Sequence, residues 1–240
     1  MPLSAAISLT AHLNACRHSA LSAEVAAHAV TGDHAAHHVI DGHGLLGLDP
    51  FSASELEAAM GAALLLFDCD WLLVTPRPGR LAPLTGPVEL TTLALEVGAA
   101  VIAQSGGVAW VPQPVGPAIQ WTILPANRPG AVGDASEADR HLRESVVQAG
   151  RTLADLPLGT AERPEIAPPP VLPPVYGRRA QQTVARAWQL VHALEVALTD
   201  DGITLHTLGA GARRQALSAL RDAADNALVT AVSWTGVERR

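Results

Sequence analysis

The stretch AAVIAQ-SGG-VAWVPQ-PVGP-AIQWTIL, residues 99–124, decides the fold. Two short runs rich in β-branched and aromatic residues flank Ser105-Gly106-Gly107, and a third follows Pro117, so glycine and proline fall where a chain must turn. Three strands of an antiparallel meander are expected. In the third, Ile119, Trp121 and Ile123 alternate with Gln120 and Thr122, which gives the strand one dry face and one wetter face.

Working upstream, the apolar end of DCDWLLVT, Trp71 to Val74, reads as an interior strand. The segment PRPGRLAPLTGP after it is a loop stiffened by four prolines, the last of which, Pro87, suits the first turn of a helix over 87–97 that stops at Gly98. Ser54 with Glu57, and Ser52 with Glu55, have capping-box spacing, so a helix is expected over 54–65 with Leu56, Met60, Ala63 and Leu64 on one face. Residues 8–30 carry Leu9, Leu13, Cys16, Ala20, Leu21 and Val25 near helical spacing, with room for a break. The following TGDHAAHHVIDGHG is punctuated by Gly32, Gly42 and Gly44 and reads as turns or a short strand.

Downstream, Leu142, Val146, Leu153 and Leu156 recur among Arg140, Arg143, Glu144 and Arg151, the pattern of an amphipathic helix packed on the sheet. Seven prolines between Pro157 and Val175 forbid regular structure other than an extended left-handed segment. Two apolar stripes follow, Val184, Trp188, Val191, Leu194 and Leu198, then Leu217, Leu220, Ala224 and Leu228, which predict two antiparallel helices. The fold class is therefore α/β or α+β: a small, mostly antiparallel sheet covered by helices, with a C-terminal helical hairpin. The expected division is a main domain over 1–156, a proline-rich tether over 157–176 and a hairpin over 177–240 that packs on the main domain.

The stretch LLVTPRPGRLAPLTGPVELTTLALEVGAAVI, residues 72–102, contains Pro76, Pro78, Gly79, Gly86, Pro87, Glu89, Ala94, Leu95, Glu96 and Gly98. In these residues it resembles an uncharacterised family of proteins from GC-rich actinobacteria, in which a strand, a Pro/Gly loop and a helix opened by Gly-Pro recur. The resemblance implies a source and a shared fold element, and it carries over no reaction and no catalytic residue.

Composition bounds the function. With 48% hydrophobic and 16% charged residues, a chain of 240 residues buries roughly 70% of its unfolded surface, and disorder throughout is excluded. Aromatic content of 3% points to a core built mainly from Ala, Leu and Val. All 16 basic residues are arginine, a composition bias rather than a structural demand. A net charge of −7 argues against nucleic acid as a partner, and Arg178-Arg179, Arg213-Arg214 and Arg239-Arg240 read as solvated helix ends. The first residues lack a basic leader and their apolar run is broken by His12, Asn14 and Arg17, so no secretory signal is expected. The longest apolar run, 58–67, is too short to cross a bilayer, which takes about 20 residues. The expectation is a soluble cytoplasmic protein with no membrane partner. Cys16 and Cys69, without CxxC spacing, are expected as reduced, buried thiols.

Candidate chemistry is sparse. Seven of ten histidines, His12, His18, His28, His34, His37, His38 and His43, lie in the first 43 residues. Were 34–41 helical, His34, His38 and Asp41 would share one face as metal ligands, with Asp33 orienting a ring from behind. The bracketing Gly32 and Gly42 and the absence of a motif such as HExxH favour turn or surface histidines instead. Asp68 and Asp70, on one side of a strand, could act as acid, base or ligands, but the simpler reading is a solvated strand start around a buried Cys69. Gly106-Gly107 and GAGAR (209–213), the latter ahead of a helix, could present N–H groups to an anion, yet neither follows GxGxxG or GxxxxGK and no lysine exists for a phosphate loop. Asp200-Asp201-Gly202 reads as a helix exit. IAPPPVLPPV could fill an aromatic groove, but Ile166, Val171, Leu172 and Val175 make it a better intramolecular strap.

No catalytic residue and no cofactor emerge. The leading expectation is a non-catalytic protein-interaction or regulatory module whose partner is itself, as a homo-oligomer, or another protein, since two helices alone cannot bury their apolar stripes. The alternatives are a metal-dependent enzyme using the N-terminal histidines, and a small-molecule binding protein with a pocket between the sheet and the first helices.

Overall fold

The structure, a computed structural model, describes residues 2–154, 165–199 and 207–233. Among these, seven helices and a six-stranded mixed sheet give an α+β fold with a C-terminal helical pair. The elements are α1 (Pro2–His18), α2 (Ala23–Thr31), β1 (His37–Ile40), β2 (Ser54–Glu55), α3 (Leu56–Leu66), β3 (Trp71–Val74), α4 (Val88–Val97), β4 (Ala100–Ala103), β5 (Ala109–Val115), β6 (Ala118–Leu124), α5 (Ala135–Ala154), α6 (Arg178–Thr199) and α7 (Thr207–Val232). The chain divides into two compact units, Met1–Val132 with Pro170–Gly177 and Val232–Arg240, and Gly133–Pro169 with Arg178–Ala231.

The first unit holds the sheet, in the order β2-β1-β6-β5-β4-β3. The meander forms as expected: β4, β5 and β6 pair antiparallel, and β3 joins β4 in the same sense. Only β1 departs, pairing parallel to β6 and antiparallel to the two-residue β2. The register tolerates Pro112 and Pro114 in β5 because β4 pairs only with Ala109 and Trp110, leaving the proline positions beyond its end. At the β4–β5 turn Gly106 is obligatory: its φ is 79°, and a Cβ there would meet the Arg128 backbone nitrogen at 2.6 Å.

One face of the sheet is covered by α4, whose Leu90 and Ala94 join Val74, Ala100, Ile102, Val111 and Leu124 in a buried cluster. Pro87 stands at the N-cap position, one residue ahead of the first-turn place expected for it, and Gly98 closes the helix in the left-handed region, as the sequence predicts. The other face is dry across β3, β5 and β6 and receives α1, which also packs on α2 and α3. Nearly every residue of α1 from Ala5 to Ala15 is buried, the mark of a helix enclosed on all sides. Four tryptophans, Trp71, Trp110, Trp121 and Trp188, are the largest fully buried side chains, so the core is less purely aliphatic than the composition implies.

Two expectations are corrected. The strand at Trp71–Val74 is outermost in the sheet rather than interior, although all four of its residues are buried. The capping boxes do not form: Ser54 and Glu55 belong to β2, and Glu55 at the start of α3 makes no side-chain cap. The amphipathic α5 falls in the second unit with α6 and α7. Within that unit Arg213 reaches the Ala197 carbonyl and Arg221 the Val191 carbonyl, so α6 and α7 run antiparallel as expected. Of the stripe residues, Val184, Trp188, Val191, Leu194, Leu217, Leu220, Ala224 and Leu228 are buried and Leu198 is half-buried.

Of the proline-rich segment, residues 165–175 are described and Pro157 to Pro164 lie outside the described residues. Leu172 is buried and the Ala167 carbonyl accepts the Trp188 indole N–H at 2.8 Å, whereas Val171 stands exposed. Asp200-Asp201-Gly202 and Arg239-Arg240 also fall outside the described residues. GAGAR lies inside α7, not ahead of it.

Candidate functional site

Several of the reactive groups singled out in the sequence, His12, His37, Asp41 and Asp70 among them, are occupied in holding the fold. His37 shows this best. On β1 it turns into the dry face, 3% exposed, and accepts the Trp121 indole N–H on Nδ1 at 3.1 Å. An indole nitrogen only donates, so the His37 proton must sit on Nε2, which faces His34 Nδ1 at 3.2 Å. His34 Nδ1 is therefore an acceptor, and its 3.3 Å approach to the Thr31 carbonyl carries no proton. Burial, reinforced by the charges of His34 and His38, lowers the His37 pKa to about 4 and keeps the ring neutral. The line of rings continues across the sheet: Trp121 meets Trp110 at 6.2 Å and Trp110 meets Trp71 at 6.4 Å, both edge to face.

The premise of a helix over 34–41 fails, because residues 37–40 are strand. Alternation puts His38 on the opposite face from His37, exposed and opposite Glu55 and Gln120. His34 and His37 do meet, but the Asp41 carboxylate is taken up by the backbone N–H groups of Leu45, Leu46 and Leu48. His12 is buried and bonded to the Ser8 carbonyl, its pKa lowered by burial, while His43 pairs with Glu89 at 3.4 Å. Asp33 and His28 are exposed. Among the described residues no three His, Cys, Asp or Glu side chains gather where they could hold a metal ion.

Asp68 and Asp70 meet the end of α1. Arg17 pairs with both, and His18 Nε2 lies 2.7 Å from Asp70 Oδ1, which ties the helix to the start of β3. Cys69 and Cys16 are free thiols and half-buried rather than buried; burial pushes the Cys16 thiol up to about 11, and Cys69 Sγ contacts Ser105 Oγ at 3.2 Å. The free side of β3 is closed by side chains. Asn14 donates to the Trp71 carbonyl at 2.9 Å and accepts its N–H at 2.8 Å, and the Ser233 hydroxyl accepts the Leu73 N–H at 3.0 Å. Tyr176, whose pKa burial raises, donates to the Val232 carbonyl at 2.7 Å. An edge that would otherwise template further strands is thereby sealed.

Asp41 has a different task. It is fully buried, and its carboxylate accepts the N–H groups of Leu45 and Leu46 at 2.8 Å each and of Leu48 at 3.3 Å. Gly44, at φ 64°, makes the turn that lets these groups converge, and Leu46 is buried beneath. Asp49 then takes the Phe51 N–H at 3.0 Å and the Ser52 hydroxyl at 2.7 Å. Those two bonds, the backbone one first, hold the Asp49 carboxyl below its usual pKa. The product of two carboxylate-braced turns is a ring held in water: Phe51 is 96% exposed, the one exposed aromatic among the described residues. In the same unit Leu65 at the end of α3 is 89% exposed and Val88 at the start of α4 is 81% exposed. Sequence reasoning read this segment as turns or a short strand from Gly32, Gly42 and Gly44, but weighed Asp41 only as a metal ligand and so missed the brace it makes.

The Rv1486c-like protein family matches the chain in both its parts, the N-terminal domain over residues 6–135 and the C-terminal domain over 136–229. The chain belongs to this family. The boundary between the two matches falls at the start of α5 and agrees with the division into two units. No curated protein and no solved structure matches the chain. Among the described residues no helix is long and apolar enough to cross a membrane.

Proposed function

We propose that the protein is a non-catalytic interaction module that self-associates, with the loop braced by Asp41 and Asp49 as its contact element. The observation that carries this reading is Phe51, whose ring is almost wholly in water although two aspartates fix the backbone around it. Burying such a ring against a partner is worth about 1.5–3 kcal/mol, and a rigid presenting loop loses little entropy on contact. Aromatic anchors of this kind are what dominate protein interfaces. Leu65 and Val88 supply further apolar area in the same unit.

The candidate acids, bases and ligands support the same reading, since Asp41, Asp70, His37 and His12 each hold a structural bond. The partner is a second copy of the chain, met at micromolar concentration in the cytoplasm. Light scattering of the purified full chain over a concentration series tests this. An average mass that rises with concentration in the wild type and stays monomeric in Phe51→Ser is expected. A clean monomer for both across the micromolar range removes the proposal.

A further inference from the structure

In the helical unit, three arginines converge on one carboxylate. Asp139 on α5 is buried, and its oxygens lie 2.6 Å from Arg143 Nη2, 3.0 Å from Arg186 Nη1 and 3.5 Å from Arg179 Nη2. Burial alone would push the Asp139 carboxyl up; the bond and charge of Arg143, with Thr183 and Arg186, outweigh it and hold the group below the usual carboxylate range. Among the described residues, three positive charges against one negative leave a surplus of two. The other carboxylates that pair along α5, Glu137 and Glu144, are engaged with Arg140 at 3.6 and 4.0 Å and do not neutralise it.

The guanidiniums are also under-used as donors. Each presents five N–H groups in a fixed fork, yet Arg179 and Arg186 each reach Asp139 through a single nitrogen, and Arg143 spends its Nε on the Asp139 carbonyl of its own helix. All three remain about half exposed, so each guanidinium keeps part of its surface open to solvent beside Asp139. The first turn of α6 carries Arg178 and Arg179 and no acid, so the partial positive charge of the helix start adds to the surplus instead of being cancelled.

We propose that Arg143, Arg179 and Arg186 form a binding site for a dianionic oxyanion of the phosphate-monoester class. Two surplus charges match a phosphate monoester, which carries close to two negative charges near pH 7, better than a single carboxylate. Guanidinium forks fit its oxygens in pairs. Asp139 acts as the internal counter-charge that holds the three forks side by side before the ligand arrives. The proposal is independent of the Phe51 loop, which lies in the other unit.

The test is a titration of inorganic phosphate into the full chain at low ionic strength and pH 7.5, followed by calorimetry and by melting temperature, with sulfate as a second dianion and chloride at matched ionic strength as control. Phosphate and sulfate are expected to bind and raise the melting temperature above the chloride value. Arg179→Ala removes the longest contact to Asp139 and is expected to melt in chloride within a few degrees of wild type while losing about tenfold in phosphate affinity, roughly one charge-assisted contact. Arg186→Gln gives a second, independent loss of the same size. Equal melting in phosphate and chloride, or wild-type phosphate binding by both variants, overturns the site. A phosphoserine peptide and inorganic phosphate, compared as competitors, then distinguish the source. Displacement by the peptide at tenfold lower concentration assigns the site to a phosphorylated side chain, and equal displacement assigns it to free phosphate.

Discussion

The tryptophans of the dry sheet face and Phe51 are chemically close and are treated in opposite ways. Trp71, Trp110 and Trp121 are wholly enclosed and stacked edge to face; Asn14 satisfies the Trp71 backbone and His37 the Trp121 indole N–H, while the indole N–H groups of Trp71 and Trp110 are buried without a hydrogen-bond partner among the described residues. Phe51 is 96% exposed, and its polar neighbours Asp41 and Asp49 hold backbone rather than ring. In one region polar side chains serve burial; in the other they serve presentation. Substitution at the two should therefore separate stability from contact.

The largest effect belongs to the ladder. Trp110→Ala is expected to cost about 3–5 kcal/mol in urea unfolding, through lost transfer energy and the cavity left behind. A loss below 1 kcal/mol would break the contrast. Next comes Asn14→Ala, which strands the N–H and carbonyl of Trp71 at a buried edge, and unmade bonds of that kind cost about 1–3 kcal/mol each. Asn14→Asp keeps the acceptor but buries a carboxylate with one oxygen against the Trp71 carbonyl, so it is expected to be no more stable than Asn14→Ala.

A smaller effect is pH-dependent. His37 takes its proton near pH 6.5 in the unfolded chain but only near pH 4 in the folded one, so the unfolded state holds more protons between those values. Stability is then complete above pH 6.5 and falls as pH drops toward 4, by an amount on the order of 2 kcal/mol for this group. His12, lowered by burial, acts in the same direction. Urea midpoints at pH 7 and pH 4.5 measure the slope, and His37→Gln should flatten it. An unchanged slope in that variant would show that the ring does not titrate as its surroundings imply. The smallest effect on stability, within about 0.5 kcal/mol, is expected for Phe51→Ser, the change expected to matter most for association.

Local pattern made much of the first unit legible. The meander, the alternation in β6, the buried run of β3 and the Pro87–Gly98 limits of α4 all rest on residues near one another in the chain. What escaped depends on distant partners. His12 and Asn14 look like breaks in an apolar run, yet they are buried polar groups of α1, and Asn14 makes sense only beside Trp71, 57 residues away. Thr10 is likewise buried, bonded to the Ala6 carbonyl. The parallel pairing of β1 with β6 joins residues about 80 apart, and without it the histidine run has no fixed period from which to place side chains. For the same reason α5 could not be assigned to its unit from its stripe alone, because an amphipathic face shows that something covers it and not what.

The contact role of Phe51 is tested most directly by placing p-benzoylphenylalanine at position 51 of the full chain and irradiating the purified protein at micromolar concentration. A covalent dimer joined from position 51 to a second copy is the expected product. Only monomer after irradiation, with the reactive ring spent on water or on its own chain, would contradict the account.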